Sequence, residues 1–359
     1  MTDAQPTHFP DGDIVVTGAT GFLGGALVRQ LLALGLPPSR LRCPVRDPER
    51  AILAGLPAIA LRRIDLARTG CEEDLAATVR GAGLVLHLAG TLKGANAADF
   101  MTTNCTGTRR LVRAIARSAP DAHVVHVSSL AAAGPGCDGV QSTALPSAAR
   151  PVSLYGISKL RGEDAVATGT RSWTILRPPV VYGPGDPATR LLVRQACAPV
   201  TAVPATPRPL SILHVDDFVA AAIATARVRP FGAVLPLDGP ERTDTHSLLC
   251  AIANAHGRRA RLVPIPMAVA GAAAVVAEVC GRAIGRVGFF NRDKVREIRA
   301  AGWVADGSEA MRLLGWRAHT TLAQGLRTLV HGAPQPARPT TGDDLGLGGA
   351  TAGNLGARA

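Results

Sequence analysis

Tyr155 and Lys159 stand four residues apart in Tyr155-Gly156-Ile157-Ser158-Lys159, downstream of a Ser128-Ser129 pair. On a helix that spacing puts the phenol and the ammonium on one face. The lysine charge can then favour the phenolate, whose ordinary pKa of about 10 is too high for easy base work at neutral pH. A serine brought in from elsewhere can hydrogen-bond a carbonyl or hydroxyl oxygen. Together the three would form a proton-handling site for alcohol and ketone chemistry. The same spacing also describes an ordinary surface pair on a helix, so its meaning rests on the surrounding segments.

The upstream segment reads as a nucleotide site. Ile14-Val15-Val16 is a short apolar run of the kind a buried strand makes. It leads into Thr17-Gly18-Ala19-Thr20-Gly21-Phe22-Leu23-Gly24, and then into apolar residues at helical spacing from Ala26 to Leu32. Strand, glycine turn and helix are the context that a dinucleotide fingerprint requires. Gly18 would allow the tight turn, Gly21 the approach of a diphosphate and Gly24 the packing of helix on strand. The spacing is Gly-x-x-Gly-x-x-Gly rather than Gly-x-Gly-x-x-Gly. A second strand, Leu41–Val45, ends at Arg46-Asp47. An arginine there suits a ribose 2′-phosphate and an acid suits a 2′-hydroxyl. Arg46 therefore points to NADP, with NAD left open by Asp47.

With these residues in order, the chain resembles the extended short-chain dehydrogenase/reductase family, also called the NAD-dependent epimerase/dehydratase family, over about residues 12–330. The glycine motif covers Thr17 to Gly24, so Thr20, Phe22 and Leu23 join the glycines as cofactor contacts. Ile64-Asp65-Leu66 resembles the strand end beside adenine. Leu86-His87-Leu88-Ala89-Gly90 resembles the turn under the cofactor ribose, and Asn104-Cys105-Thr106-Gly107-Thr108 the Asn-x-x-Gly-Thr helix. Arg177-Pro178-Pro179-Val180-Val181-Tyr182-Gly183 resembles the loop between nicotinamide and substrate, with Pro178 at the cofactor. His214-Val215-Asp216-Asp217 resembles the motif that opens a late helix. The resemblance implies Tyr155 as general acid/base, Lys159 as the group that lowers its pKa and bonds the nicotinamide ribose, and Ser129 rather than Ser128 as the group orienting the reacting oxygen. It implies hydride chemistry done by a nicotinamide that the protein positions. The fold implied is α/β, a Rossmann-type doubly wound parallel sheet with a smaller C-terminal substrate lobe.

Composition agrees with one large α/β chain. The sequence has 359 residues, 47% of them hydrophobic, enough for a well-buried core. Seven cysteines are scattered without metal-ligand spacing, as in a reducing compartment. The polar N-terminus carries no signal-peptide pattern, so the cytoplasm is the expected location. The net charge of +12 comes almost wholly from arginine, since lysine occurs only at positions 93, 159 and 294. Basic residues form no dense run and aromatic content is 3%, which argues against nucleic-acid binding.

Along the chain, residues 12–183 read mainly as the NAD(P)-binding domain, with 211–238 returning to it. Residues 184–210 and 239–332 read as the substrate lobe, and 333–359 as a disordered tail. The Gly/Pro/Ser-rich stretch 134–153 is expected at the substrate entrance. The apolar segment 264–290 is too short and interrupted to span a membrane. It reads as a buried lobe helix, a lid over a greasy pocket, or a helix in weak contact with a membrane surface. His87 and His126 read as core or cofactor-adjacent. Asp216 and Asp217 read as caps of backbone amides. Lys93 has a place near the cofactor or substrate. Family members commonly pair through the tyrosine-bearing helix, which implies a homodimer.

Three reactions compete. The first is hydride transfer between NADP(H) and a secondary alcohol or ketone. It is favoured by Arg46, the Ser/Tyr/Lys set and a likeness of Val45–Pro48 and Pro209–Asp217 to the dihydroflavonol-reductase and 3β-hydroxysteroid-dehydrogenase branches. The second is nucleotide-sugar epimerisation with bound NAD. Those relatives often carry an arginine five residues before the valine of Val-Asp-Asp, and Leu210 stands at that position. The third is a non-catalytic, cofactor-binding scaffold or sensor, disfavoured by the presence of both Tyr155 and Lys159. A dehydratase would place acids after the serine, where this chain has Leu130-Ala131-Ala132-Ala133.

Overall fold

The computed structural model describes residues 9–92, 94, 96–283 and 292–331. Lys93, the 333–359 stretch and residues 284–290 of the apolar segment lie outside the described residues. Among the described residues twelve strands run in chain order: β1 Asp13–Thr17, β2 Leu41–Val45, β3 Leu61–Arg63, β4 Ala82–His87, β5 His123–Val127, β6 Ser172–Arg177, β7 Val180–Tyr182, β8 Thr201–Pro204, β9 Pro209–His214, β10 Ala233–Pro236, β11 Arg242–Asp244 and β12 Leu262–Ile265. Seven of them form one parallel sheet in the order β10-β6-β5-β4-β1-β2-β3. This is the doubly wound Rossmann arrangement, with its topological switch where β1 separates β2 from β4.

The central strands are apolar on both faces because helices cover both. The period of two sorts their residues between two layers. Ile14, Val16, Leu84, Leu86, Val125 and Val127 enter the core shared with Leu27, Leu31 and Phe218. Val15, Val85 and Val124 enter the core shared with Leu75, Leu111, Ile115 and Val166. Each parallel strand delivers its C-terminal end to one edge, so the segments after β1, β4, β5 and β6 meet there. A smaller sheet, β11-β9-β7, and the pair β12-β8 carry the remaining strands around a second core of Tyr182, Leu210, Leu249, Ile252 and Leu326.

Helix Met267–Ala283 in the apolar segment buries Ala270 and Ala274 but leaves Ala268, Val269, Ala272, Ala273, Val276 and Ala277 exposed. The expectation of a buried lobe helix is therefore met on one face only. No helix among the described residues is long and apolar enough to cross a membrane.

One buried ion pair ties three parts of the fold together. Arg177 closes β6, and neither its side chain nor that of Glu163 has any exposure. Glu163 sits on helix Leu154–Gly169. Arg177 Nε donates to Glu163 Oε1 at 2.9 Å and Nη2 to Oε2 at 2.6 Å. Its Nη1 donates to the carbonyls of Ser142 and Ala144 in the 134–153 stretch. Removing one partner of such a pair strands the other charge without water. Glu163→Ala is expected to destabilise the protein by about 3–5 kcal/mol, read by urea unfolding, whereas Glu163→Leu with Arg177→Met is expected to recover much of that loss.

Candidate active site

The C-terminal edge of the sheet is built first by the turn after β1. Gly18 has φ +73°, a conformation that favours glycine. A Cβ there would lie 2.7 Å from Ala89 N and 2.8 Å from Leu88 C, so a side chain would push β1 and β4 apart. Thr17 Oγ1 holds the same junction, accepting from Ala89 N at 3.1 Å and meeting His87 Nδ1 at 2.7 Å. A Cβ on buried Gly24 would collide with the Gly18 carbonyl, so the helix can lie on the turn only as glycine. Helix Phe22–Ala33 begins at Gly21 with no side-chain cap and no acid in its first turn. Thr20 and Gly21 are exposed at that end, and Phe22 and Leu23 are half-buried. Free N–H groups and the positive end of the helix dipole there fit a diphosphate.

At β2, Asp47 accepts from Arg50 N at 3.1 Å and caps helix Pro48–Leu53. Arg46 is exposed, with no hydrogen-bond partner among the described residues. The acid is thus engaged by its own helix and the arginine is free for a ligand. Asp65 and Leu66 follow the shorter strand β3. Asp65 Oδ1 accepts from Ala67 N at 3.0 Å, and buried Leu66 lies under Gly107, whose Cβ would stand 3.2 Å from the Leu66 carbonyl.

The catalytic candidates come from β5 and the helix after residue 153. Ser129 follows β5 and caps the short helix Leu130–Ala133, its Oγ accepting from Ala131 N at 3.1 Å. Ser128 is buried, with its Oγ unpartnered among the described residues. Ser153 caps helix Leu154–Gly169, accepting from Gly156 N at 3.0 Å, so Tyr155 lies in the first turn and Lys159 one turn on. Lys159 is buried, and its Nζ donates to Val127 O at 2.7 Å. A Cβ on Gly90 would stand 3.1 Å from Asn104 Oδ1 and 3.7 Å from Lys159 Nζ. The turn after β4 and the lysine therefore share one wall. Pro178 O accepts from Leu130 N at 2.9 Å, which joins the loop after β6 to the serine wall.

Burial pushes the Tyr155 hydroxyl well above its ordinary value; a hydrogen bond with Ser129 lowers it and the charge of Glu297 raises it. Burial pulls Lys159 down to about 8, opposed by Glu163. Tyr155 is thus held protonated at neutral pH, ready to give a proton. The groups acting most strongly on it are burial, Ser129 and Glu297, while Lys159 turns its ammonium to a backbone carbonyl.

Asn104 lies in a π-helical turn, Thr102–Gly107, that the residue pattern did not signal; such turns are frequent at functional sites. Asn104 accepts from Thr91 N at 2.7 Å and donates to Thr91 O at 3.1 Å and Ser158 Oγ at 2.9 Å. It locks the β4 turn to the tyrosine helix. His87 and His126 stack beneath, with ring centroids 5.0 Å apart. Burial and the nearby Lys159 charge push His87 down to about 3 and His126 well below its ordinary value. Both are neutral core residues. Asp217 reaches past its own helix to accept from His319 N and Thr320 N, while His214 caps that helix.

The NAD dependent epimerase/dehydratase family model matches residues 14–229. The chain belongs to this family. It is an enzyme of the extended short-chain dehydrogenase/reductase type. Its relatives include the ceramide reductase of Caulobacter vibrioides, 32% identical over 303 residues, covering 81% of this chain and 86% of that protein. A 4-hydroxy-2-methyl-3-oxo-4-farnesyl-3,4-dihydroquinoline-1-oxide ketoreductase of Stigmatella aurantiaca is 27% identical over 332 residues, covering 89% and 96%. Among solved structures, MoeE5 in complex with UDP-glucose and NAD superposes with a TM-score of 0.67 at 26% identity, covering 89% of this chain and 98% of that one.

Two residues that the sequence reading passed over reach this site from the far end of the chain. Helix Arg292–Arg299 carries Asp293, which accepts from Leu154 N at 2.7 Å and Tyr155 N at 3.3 Å, and Glu297, whose charge acts on Tyr155. Arg-Asp-Lys-Val-Arg-Glu-Ile-Arg reads locally as a solvated charged helix, so no local signal marks them.

The Lys159 shift also predicts a stability profile. Between about pH 8 and 10.4 the unfolded chain holds a proton on this lysine that the folded protein has lost, so stability rises with pH through that window. In the cofactor-free protein the rise attributable to Lys159 is expected to reach about 3 kcal/mol. Urea unfolding of wild type against Lys159→Met across that window reads it; parallel profiles would refute it.

Proposed function

We propose that this protein reduces a ketone carrying a long apolar chain, with NADPH preferred over NADH. The observation that carries the reading is the apolar wall beside Ser129. Leu130, Ala131, Ala132 and Ala133 are all buried there, and no acid follows the serine to assist loss of water. Exposed Leu92, Val152 and Val180 stand on the segments that flank the site. The ceramide reductase and the farnesyl-quinoline ketoreductase support the same class, since both are named for reduction of molecules with long apolar chains.

When bound, a nicotinamide cofactor supplies the hydride. Ser129 would hold the carbonyl oxygen by its hydroxyl, and Tyr155 would pass its proton to the oxygen as negative charge develops. Lys159 would stabilise the phenolate left behind and hold the ribose beside Gly90. The glycine turn Gly18–Gly24 would carry the diphosphate, Asp65 and Leu66 the adenine, and Leu88, Ala89, Asn104 and Pro178 the ribose and nicotinamide walls. Arg46 would take a 2′-phosphate.

Epimerisation of a nucleotide sugar is a second reading. Arg208 favours it, because its buried Nε has no partner among the described residues. Leu210 weighs against it, being packed in the second core where those enzymes often place the arginine. Pairing of two copies through helix Leu154–Gly169, weak contact of the exposed Ala268–Ala277 face with a lipid surface, and a cytoplasmic location belong to the same proposal.

Three measurements test it. Tyr155→Phe is expected to lower kcat for a long-chain ketone by about 10²–10⁴-fold with the cofactor Kd little changed. Arg46→Asp is expected to reverse the NADPH preference, read as the ratio of kcat/KM for the two cofactors. Redox-neutral turnover of a UDP-sugar with tightly retained NAD would replace the reductase reading by the epimerase one.

A further inference from the structure

A cavity of about 470 Å³ opens beside β3, the last strand of the seven-stranded sheet. That volume falls within the roughly 300–1,000 Å³ of small-molecule sites. Four arginines from three elements line it: Arg42 on β2, Arg62 and Arg63 on β3, and Arg80 at the end of helix Glu72–Val79. Among the described residues, Asp74 is the one carboxylate in its lining. Arg46, Asp65 and Leu66, expected at the adenosine end of the cofactor, do not line it.

Arg42 is committed to the fold. Its Nη1 donates to Thr78 O at 2.8 Å and Arg80 O at 2.7 Å, and its Nη2 pairs with Asp13. These bonds tie β2 to the last turn of the helix, and Asp13 answers the Arg42 charge. Arg62, Arg63 and Arg80 are exposed. Arg62 uses only Nη1, which donates to Ile59 O at 3.0 Å and Leu61 O at 2.7 Å. Among the described residues, the Arg63 and Arg80 side chains have no hydrogen-bond or ion-pair partner. Charged residues on an edge strand discourage pairing with another chain, which would account for Arg62 and Arg63. It does not account for Arg80, which reaches the same cavity from a helix end.

We propose that this cavity binds a phosphomonoester group on a molecule other than the cofactor. With Arg42 answered by Asp13, the remaining three arginines against Asp74 leave an excess of two positive charges. A phosphomonoester carries about 1.5–2 negative charges at pH 7. One such group balances the cavity, and a carboxylate or a phosphodiester falls short of it. Planar guanidinium forks match the oxygen geometry of phosphate. Ile64 and Ala77 in the same lining give an apolar side to the carbon part of the ligand. The site is independent of the reductase reading.

Titration calorimetry of the full chain with glycerol 3-phosphate, with and without saturating NADPH, tests this. Wild type is expected to bind with a Kd of about 1 mM or tighter, unaffected by NADPH or by Arg46→Asp. Arg62→Ala with Arg80→Ala should weaken binding by about tenfold or more. Asp74→Asn removes the opposing charge and should tighten binding, a gain that misfolding would not produce. Sedimentation with phosphatidate vesicles, against phosphatidylcholine vesicles, separates the two sources of such a group. Retention on phosphatidate that the double variant loses assigns the phosphate to a lipid headgroup. Binding of glycerol 3-phosphate without retention assigns it to a soluble molecule. The proposal is overturned if wild type binds neither probe, if binding survives in the double variant, or if NADPH or Arg46→Asp abolishes it, which would place the phosphate in the cofactor site.

Discussion

A lysine ammonium buried against a parallel sheet is the constraint on which the site depends. Burial works against the charge, so the structure must answer it with fixed oxygens. Val127 O accepts from Nζ at the end of β5, and Glu163 one turn on supports the charge. Tyr155, Lys159 and Glu163 recur every four residues and make one stripe of helix Leu154–Gly169 against the sheet. The carboxylate is itself held by Arg177, whose remaining N–H groups hold the stretch expected at the substrate entrance. One spine of charge thus aligns the tyrosine, the lysine, the sheet edge and that stretch.

The opposite wall is set by glycine. At Gly18 and Gly24 the absence of a Cβ lets the turn after β1 touch both the β4 turn and the following helix. Close approach of β1 and β4 brings Gly90 beside Lys159. The glycine turn and the helix that carries Tyr155 and Lys159 are therefore packed against one sheet edge, joined further by Asn104 through Thr91 and Ser158. Neutral His87 and His126 fill the space under the lysine without adding a competing positive charge.

Much of this was legible in the residue order. The apolar run Ile14–Val16, the glycine turn and the Tyr/Lys spacing each depend on local rules, and β1, the turn and the tyrosine helix formed where those rules put them. Arg46 against Asp47 was ambiguous in sequence. It became distinct once Asp47 capped its own helix and left Arg46 exposed. The π turn at Asn104, the reach of Asp217 to His319 and Thr320, and the Glu163–Arg177 pair left no local pattern. Each depends on partners that folding brings together from distant segments.

By itself the sequence determined the strand, glycine turn and helix unit, the helical register of Tyr155 and Lys159, and the apolar stretch after Ser129, because steric and hydrophobic periodicities act over a few residues. Only the tertiary structure decided which groups surround the tyrosine. Asp293 lies 139 residues after Leu154, its nearest partner, and the charge of Glu297, on the same helix, acts on Tyr155. Those contacts exist because a helix of the C-terminal part docks on the first turn of the tyrosine helix, where unpaired backbone N–H groups attract a carboxylate. Helix Arg292–Arg299 reads alone as a charged surface segment, and docking sets Asp293 against the tyrosine helix.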